Sequence, residues 1–235
     1  MALLKNKAEM DIEIPVAARA SNLSRAQVKE ILNELHVHYP MVKFNSTYLQ
    51  TTGDLDQKTS LRGLAKTDFF TQEIDQLQLN GKCRISIHSA KDLPEELAGG
   101  LSIAAITKGL DPADSLVLRE GESFSNLPEN FIIATSSLRR EEAVKSLYPK
   151  LKFKDLRGDI IQRLALLNEG KADGIVVAEA ALIRLGLTGL NRVKLPGETT
   201  ELQGQLAIVI RNDDLEMEKM FSCLDARKKD TLPRS

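Results

Sequence analysis

The chain has 235 residues, of which 42% are hydrophobic and 28% are charged, and its formal net charge is −1. This is the composition of an ordinary globular protein, and the balanced charge excludes a chain-wide basic surface for nucleic acid. Aromatic residues make up 4% with no tryptophan, which argues against a base-stacking platform. No stretch has the length of a membrane span or the pattern of a signal peptide, so we expect a cytoplasmic protein of one large or two modest domains.

The first half of the chain alternates between strand and helix patterns. Apolar residues at helical spacing predict helices at 24–35 and 69–79, and Ser24 with Gln27 is predicted to form a capping box at the start of the first. Apolar runs predict four strands, at 12–18, 42–49, 84–89 and 101–106. A polar loop is expected at 51–60.

Turn-forming residues at 108–112 predict a boundary, after which the alternation resumes. Strands are predicted at 115–118, 131–134, 151–156 and 173–178, and helices at 138–147, 160–168 and 180–185. A second break at 195–197 precedes a last strand at 205–211 and a last helix at 215–226. We therefore expect two α/β lobes and a frayed tail, with residues 10–107 and 201–227 in lobe 1, 108–200 in lobe 2 and 228–235 in the tail.

Arginines follow two of the predicted strands, each at the start of a helix. Arg139 and Arg140 follow the first strand, and Arg157 follows the second, with Arg163 one helical turn further on. Ligands of α/β proteins bind beyond the carboxyl ends of strands, where helix N-termini offer unpaired N–H groups. Arginine in a first helical turn opposes the helix dipole, so it is unfavourable there unless an anion binds. The pattern predicts a site for several carboxylates or phosphates; solvated helix residues paired with the neighbouring glutamates are the alternative.

Asp92 follows Lys91 at the point where a predicted strand enters a proline turn. By itself it could be a turn aspartate that accepts a local hydrogen bond. At the mouth of a cleft it could instead hold a cationic intermediate or transfer a proton, and nearby arginines would keep it ionised. His88 lies in an apolar strand and is predicted to be a core residue. The three histidines lack metal-ligand spacing, so we expect no metal.

Three segments of the chain together resemble the hydroxymethylbilane synthase family, also called porphobilinogen deaminase. The segments are His88-Ser89-Ala90-Lys91-Asp92-Leu93-Pro94, Thr135-Ser136-Ser137-Leu138-Arg139-Arg140 and Leu156-Arg157-Gly158-Asp159, followed in order by Arg163, Arg184 and Gln203-Gly204. The resemblance covers residues 14–211. It implies a transferase of tetrapyrrole (haem) biosynthesis that condenses four porphobilinogen units with loss of ammonia.

The resemblance also implies a fold and a set of roles. The fold is a pair of periplasmic-binding-protein-like lobes of type II around a central cleft. Asp92 would hold the pyrrole N–H groups and stabilise the azafulvene cation, with Lys91 and Phe70 as further catalytic residues. The carboxylates of substrate and cofactor would be bound by Arg19, Ser21, Ser137, Arg139, Arg140, Arg157, Arg163 and Arg184, and Gln203 and Gly204 are candidate cleft-lining residues.

A dipyrromethane cofactor, which primes chain growth, is implied as well. The family binds it through a thioether to a cysteine in a third small domain, within a Leu-Glu-Gly-Gly-Cys segment. This sequence has no such segment and ends soon after the last predicted helix, so we expect a shortened member without the third domain. Cys83 and Cys223 are weak anchor candidates, because Cys223 has the pattern of a buried thiol and Cys83 begins its strand at the end away from the cleft.

Two functions remain open at this point. One is the synthase, and the alternative is a catalytically impaired module that binds pyrroles or other polycarboxylates and derives from that enzyme. In both cases we expect a small pyrrole as the partner, neither nucleic acid nor a membrane, and a monomer.

Overall fold

The computed structural model describes residues 13–60, 62 and 67–227. The predictions for residues 10–12 and for the tail at 228–235 lie outside these ranges. Within them the strands are β1 Glu13–Arg19, β2 Lys43–Leu49, β3 Ile85–Ser89, β4 Leu101–Ile106, β5 Asp114–Leu118, β6 Ile132–Ala134, β7 Lys152–Lys154, β8 Gly174–Ala178, β9 Arg192–Lys194 and β10 Leu206–Arg211. The helices are α1 Asn22–His38, α2 Thr52–Leu55, α3 Gln72–Leu79, α4 Leu138–Leu147, α5 Ile160–Asn168, α6 Glu179–Arg184 and α7 Leu215–Phe221.

The first sheet has the strand order β2-β1-β3-β10-β4. Strand β1 is parallel to β2 and β3, whereas β10 is antiparallel to β3 and β4. The apolar face of α1 packs on this sheet through Val28, Ile31 and Leu35, against Ile14 and Val16 of β1. The last strand of the described chain thus completes the sheet that the first strand begins.

The second sheet has the order β7-β6-β8-β5-β9, again with parallel strands at one side and antiparallel strands at the other. Alternate residues of a strand point to opposite sides of a sheet, and consecutive residues of the central strands are apolar, so both faces of this sheet are apolar. Leu116 and Val176 belong to the core on one face, and Val117 and Ile175 belong to the core on the other. Helices therefore cover both faces. Every described helix is too short or too polar to cross a lipid bilayer.

Several predicted boundaries need correction. Helix α1 is capped by Ser21, whose Oγ accepts the N–H of Ser24, rather than by Ser24 itself. The helix predicted at 69–79 is a 3-10 turn followed by α3, with Thr71 between them, and the last helix ends at Phe221. The short elements α2 and β9 escaped prediction because three or four residues carry too little periodicity to detect.

The two lobes are connected by two chain crossings, at 107–113 and 195–205. The crossings touch where the N–H of Leu110 donates to the carbonyl of Gly204 over 3.1 Å. Gly204 has a φ of 88°, and a Cβ there would lie 2.6 Å from the oxygen of Leu110. Only glycine fits this contact, which fixes the crossings directly behind the space between the lobes.

Candidate active site

A cleft of about 590 Å³ lies between the lobes. This volume falls within the range of about 300–1,000 Å³ that is usual for small-molecule sites. Most of the predicted site residues line it, and they are Arg19, Ser21, Phe70, Lys91, Asp92, Ser137, Arg140, Arg157, Arg163, Arg184 and Gly204. Arg139 and Gln203 lie behind the wall of the cleft instead, in contact with Asp114.

Lys91 and Asp92 occupy a 3-10 turn that directly follows β3. The turn is tied to the second crossing by a hydrogen bond from the N–H of Ala90 to the carbonyl of Gln205 over 3.0 Å. The Asp92 carboxylate is exposed in the cleft, whereas the Lys91 ammonium is buried. Burial, and next the charge of Arg140, lower the pKa of Lys91 to about 8. The turn thus carries a carboxylate and, one residue earlier, an ammonium that loses its proton at a lower pH than an ordinary lysine.

Four of the predicted carboxylate-binding arginines already have a carboxylate partner. Arg139 lies 2.6 Å and Arg140 lies 2.8 Å from the carboxylate of Asp114. The full set of pairs is Arg19–Asp54, Arg139–Asp114, Arg140–Asp114 and Arg184–Glu30. Much of the charge on these guanidinium groups is therefore balanced within the protein.

Arg157 and Arg163 have no ion-pair partner among the described residues. Arg157 donates to the main-chain carbonyls of Gly53, over 3.1 Å, and of Asp56, and its Nε is buried without any partner. Burial, and next the charges of Arg140 and Arg157, lower the pKa of Arg163 to about 10. Half-buried cations without counter-ions are unfavourable, so this part of the cleft favours an anionic ligand.

The helix N-terminus beside these arginines is closed by its own side chains. Asp159 caps α5 and accepts the N–H of Gln162 over 2.9 Å, while the Gln162 side chain accepts the N–H of Asp159 over 2.9 Å. This is a complete capping box, which satisfies two of the N–H groups at this helix end. The arginine side chains therefore add to the N–H groups that the first turn of α5 leaves free.

Phe70 forms one wall of the cleft. The guanidinium carbon of Arg19 lies 4.5 Å from the centre of its ring, and the ring of Phe69 packs against it edge-on at 5.2 Å. A Cβ at Gly53 would lie 2.4 Å from the Phe70 ring, so glycine is required beneath it. Phe70 therefore offers a flat apolar surface next to a cationic cluster, which suits a heteroaromatic ring that carries carboxylates.

Comparison with known proteins identifies the family. The family model described as "Porphobilinogen deaminase, dipyromethane cofactor binding domain" matches residues 14–219. The chain therefore belongs to the porphobilinogen deaminase family. A probable porphobilinogen deaminase of Chlamydia muridarum is 41% identical over 210 residues, which cover 89% of this chain and 86% of that protein. The porphobilinogen deaminase of Clostridioides difficile is 36% identical over 217 residues, covering 91% and 72% respectively.

Solved structures show the fold of this family member independently of close sequence similarity. An ancestral cationic amino acid solute-binding protein superposes with a TM-score of 0.54 at 15% identity, covering 97% of this chain and 95% of that one. The LysR family regulator CbnR, in complex with its target DNA, gives a TM-score of 0.57 at 14% identity, covering 94% and 72%. Two lobes of the periplasmic-binding-protein type, as predicted, are thereby confirmed.

The cysteines of this porphobilinogen deaminase family member lie away from the cleft. Cys83 is buried, and burial raises the pKa of its thiol to about 11. Cys223 is half-buried, its Sγ donates to the carbonyl of Met220 over 3.3 Å, and burial raises its pKa as well. Neither is among the residues that line the cleft. Protonated thiols at these positions do not suit covalent attachment of a cleft-bound group.

The sequence predicted that His88 is a core residue and that no metal is bound. His88 is buried with its Nε2 2.9 Å from the Oγ of Ser86, and burial lowers its pKa to about 4, so it is a neutral core residue as predicted. Within the described ranges, no group of three or more histidine, cysteine, aspartate or glutamate side chains is arranged to hold a metal.

Sequence reasoning missed the carboxylates that neutralise part of the arginine cluster. These are Glu30, Asp54 and Asp114, which lie far along the chain from the arginines they bind. One signal pointed to Asp114, because an aspartate next to a predicted buried strand is itself buried and needs a cationic partner. Nothing in the sequence indicated which arginine that partner would be.

Proposed function

We propose that this chain is the hydroxymethylbilane synthase of tetrapyrrole biosynthesis, a transferase that condenses four porphobilinogen units with loss of one ammonia at each addition. Membership of the porphobilinogen deaminase family supports the reaction. The observation that carries the site assignment is a group of three cations, beside the exposed Asp92 carboxylate, that have no carboxylate partner among the described residues. Porphobilinogen bears an acetate and a propionate, which supply the missing negative charge.

In this proposal Lys91, Arg157 and Arg163 bind the substrate carboxylates through charge-assisted hydrogen bonds. Asp92 accepts the pyrrole N–H, and its negative charge stabilises the positive charge that develops on the substrate as ammonia leaves. Phe70 covers the reacting ring and excludes water from one face. The other predicted binding residues that line the cleft contribute N–H or O–H groups that their internal partners leave unused, and they are Arg19, Ser21, Ser137, Arg140 and Arg184.

The matched domain is the one that binds the dipyrromethane cofactor, and the cleft fits the acidic side chains of that group. The unpaired Nε of Arg157 is buried and faces no other acceptor among the described residues. When bound, dipyrromethane supplies the pyrrole to which the first substrate unit is added. We propose that its carboxylates and those of the substrate share Lys91, Arg157 and Arg163 with the other arginines that line the cleft, and that it is held without a covalent bond, because neither described cysteine lies at the cleft.

The proposal extends to domain limits and setting. Lobe 1 comprises residues 10–107 and 201–227, and lobe 2 comprises residues 108–200. We propose a monomer as the active unit. We place its activity in the cytoplasm, on a small pyrrole and without nucleic acid.

The test is Asp92→Asn, assayed for porphobilinogen consumption and for intact protein mass before and after incubation with substrate. Loss of the carboxylate is expected to lower kcat by at least about 100-fold, since a positioned acid–base or charged group contributes roughly 10²–10⁴. Thermal stability should be unchanged, because the carboxylate is exposed in the cleft. Asp213→Asn, at a residue whose side chain is 80% exposed, is the matched control and should retain full activity.

A wild-type protein that binds porphobilinogen and returns it unchanged, even with dipyrromethane added as primer, would contradict the synthase and leave the binding module. Under native conditions, a non-covalent complex whose mass grows in pyrrole-sized steps with substrate would support it directly.

A further inference from the structure

Asp114 and Gln203 lie together where the two crossings between the lobes meet. Both are almost inaccessible, with 2% and 3% of their surfaces exposed. The side-chain Nε2 of Gln203 donates to Asp114 Oδ1 over 3.0 Å and to the carbonyl of Pro112 over 2.6 Å. Since Pro112 belongs to one crossing, Asp114 begins the strand that directly follows it and Gln203 belongs to the other crossing, these bonds join the two connections at one point.

Gln203 also holds a cation of lobe 1, and Asp114 holds two cations of lobe 2. The Oε1 of Gln203 accepts a hydrogen bond from the Lys91 ammonium over 3.0 Å. Asp114 accepts from Arg139 over 2.6 Å and from the Nε of Arg140 over 2.9 Å. A continuous chain of hydrogen bonds therefore runs from the turn that carries Asp92 to the first turn of α4.

The orientation of the Gln203 amide is determined by its neighbours. An ammonium has only donors and a carboxylate has only acceptors, so the amide oxygen must face Lys91 and the amide NH₂ must face Asp114. Burial raises the pKa of Asp114, but the charges of Arg140 and Arg139 outweigh burial and hold that pKa below its ordinary value. Asp114 is thus ionised, and a reversed amide would leave like groups in contact on both sides.

We propose that Gln203 and Asp114 are positioning residues that hold Lys91 and the Arg139–Arg140 pair at a fixed separation across the lobe junction. This inference rests on the proposed function and adds residues that touch no substrate. It explains why two buried polar side chains, with every hydrogen-bonding group used, lie behind the cleft in place of an apolar contact. Ligand carboxylates held from the two lobes are thereby kept in register with Asp92.

The proposal predicts an electrostatic effect on Lys91. The charged groups that face its ammonium are Arg139 and Arg140 from α4, Asp92 from its own turn and Asp114 from β5. Gln203→Met removes the acceptor that favours the protonated form, and Asp114→Asn removes a negative charge nearby. Both changes should lower the pKa of Lys91 below about 8. Simple loosening has the opposite effect, because a Lys91 side chain released to solvent regains a pKa near 10.5.

The experiment is an NMR titration of the full chain labelled at lysine ¹³Cε, with the Lys91 signal assigned by Lys91→Arg. In Gln203→Met the pKa of Lys91 is expected to fall by about one unit or more. The same variant should lose at least about tenfold in kcat/KM, mostly through KM, and its alkaline limb should move to lower pH. Gln76→Met, at an exposed glutamine of α3, is the matched control and should leave both measurements unchanged.

A Lys91 pKa that stays the same or rises in Gln203→Met would overturn the positioning role. If that variant fails to fold, Asp114→Asn keeps the test open because it conserves the size and shape of the side chain, and it predicts the same direction. The titration reads Lys91 without turnover. Suppose that the wild-type protein consumes no porphobilinogen but Gln203→Met and Asp114→Asn both lower the pKa of Lys91. This result would contradict the proposed function while supporting the coupling.

Discussion

At the scale of single residues, the site is defined by which charges remain unbalanced. The sequence presents a row of arginines that look equivalent, but in the structure Arg139 and Arg140 share Asp114 while Arg157 and Arg163 have no carboxylate among the described residues. The unbalanced cations attract a ligand, whereas the balanced ones are held in place by their partners. The charge beside Arg157 and Arg163 is therefore positive, although the net charge of the whole chain is −1.

Lys91 makes this charge dependent on pH. Its pKa of about 8 means that the ammonium is present below that pH and is lost above it. Affinity for a dipyrromethane or porphobilinogen carboxylate should accordingly be constant below pH 8 and fall as the pH rises through it. Calorimetric titration of ligand at a series of pH values on either side of 8 measures the effect.

Lys91→Met should lower affinity at neutral pH and abolish the change near pH 8, while Lys29→Met, at an exposed position of α1, should retain it. An unchanged pH profile in Lys91→Met would assign the titration to another group.

At the scale of elements, the order and type of most helices and strands could be predicted from the sequence. Strand β4 and helices α4 and α5 have the predicted limits, because their apolar residues recur with a clear period and a cap or turn marks each end. The predicted cap of α1 was wrong by three residues, since Ser21 and Ser24 are both suitable cap residues and only the extended backbone at Ser21 decides between them. Short elements such as α2 are stabilised by tertiary contacts and leave no pattern.

The loop between β7 and α5 positions the two unbalanced arginines and yields a prediction at this scale. Gly158 has a φ of 92°, and a Cβ there would lie 2.6 Å from Oε1 of Gln162, inside the capping box. Gly158→Ala should lower the free energy of unfolding by about 1–2 kcal/mol, the usual cost of a left-handed residue with a side chain. It should also weaken ligand binding, because Arg157 and Arg163 flank the shifted turn. Urea unfolding and calorimetry measure the two effects.

Gly121→Ala provides the control for that change. Gly121 also has a positive φ, of 85°, but a Cβ there would meet nothing within 4 Å. Gly121→Ala should show a loss of stability similar to that of Gly158→Ala and no change in ligand binding. Equal losses of binding in both variants would mean that the α5 capping box does not position the arginines.

At the scale of the whole molecule, contacts between the lobes determine the cleft. Arg184, in lobe 2, reaches Glu30 of α1 over 2.7 Å and the carbonyl of Gly204 in the second crossing over 2.9 Å. The side chain of Arg184 is 4% exposed and that of Glu30 is 22% exposed. Sequence analysis assigned Arg184 to carboxylate binding, and it does line the cleft, but its guanidinium also joins the two lobes.

Arg184→Met should therefore lower stability as well as binding. Removing one partner of a buried pair leaves the other unsatisfied, and we expect a loss of about 2–4 kcal/mol in the free energy of unfolding. Lys150→Met is the control, because Lys150 and its partner Glu129 are each 69% exposed and such pairs contribute less than about 1 kcal/mol. A loss no larger than that of the control would show that the lobes are joined mainly by other contacts.

The sequence by itself determined the two-lobed α/β architecture, the family and many of the side chains that line the cleft, because periodicity and short motifs are local properties of the chain. Lys91, Asp92, Arg140 and Arg157 were all predicted from such segments. Only the tertiary structure decided which cations are balanced, since Asp114 and Glu30 meet their arginines across large separations in the sequence. Ion pairing and burial depend on distances between elements, and no spacing along one strand or helix encodes those distances.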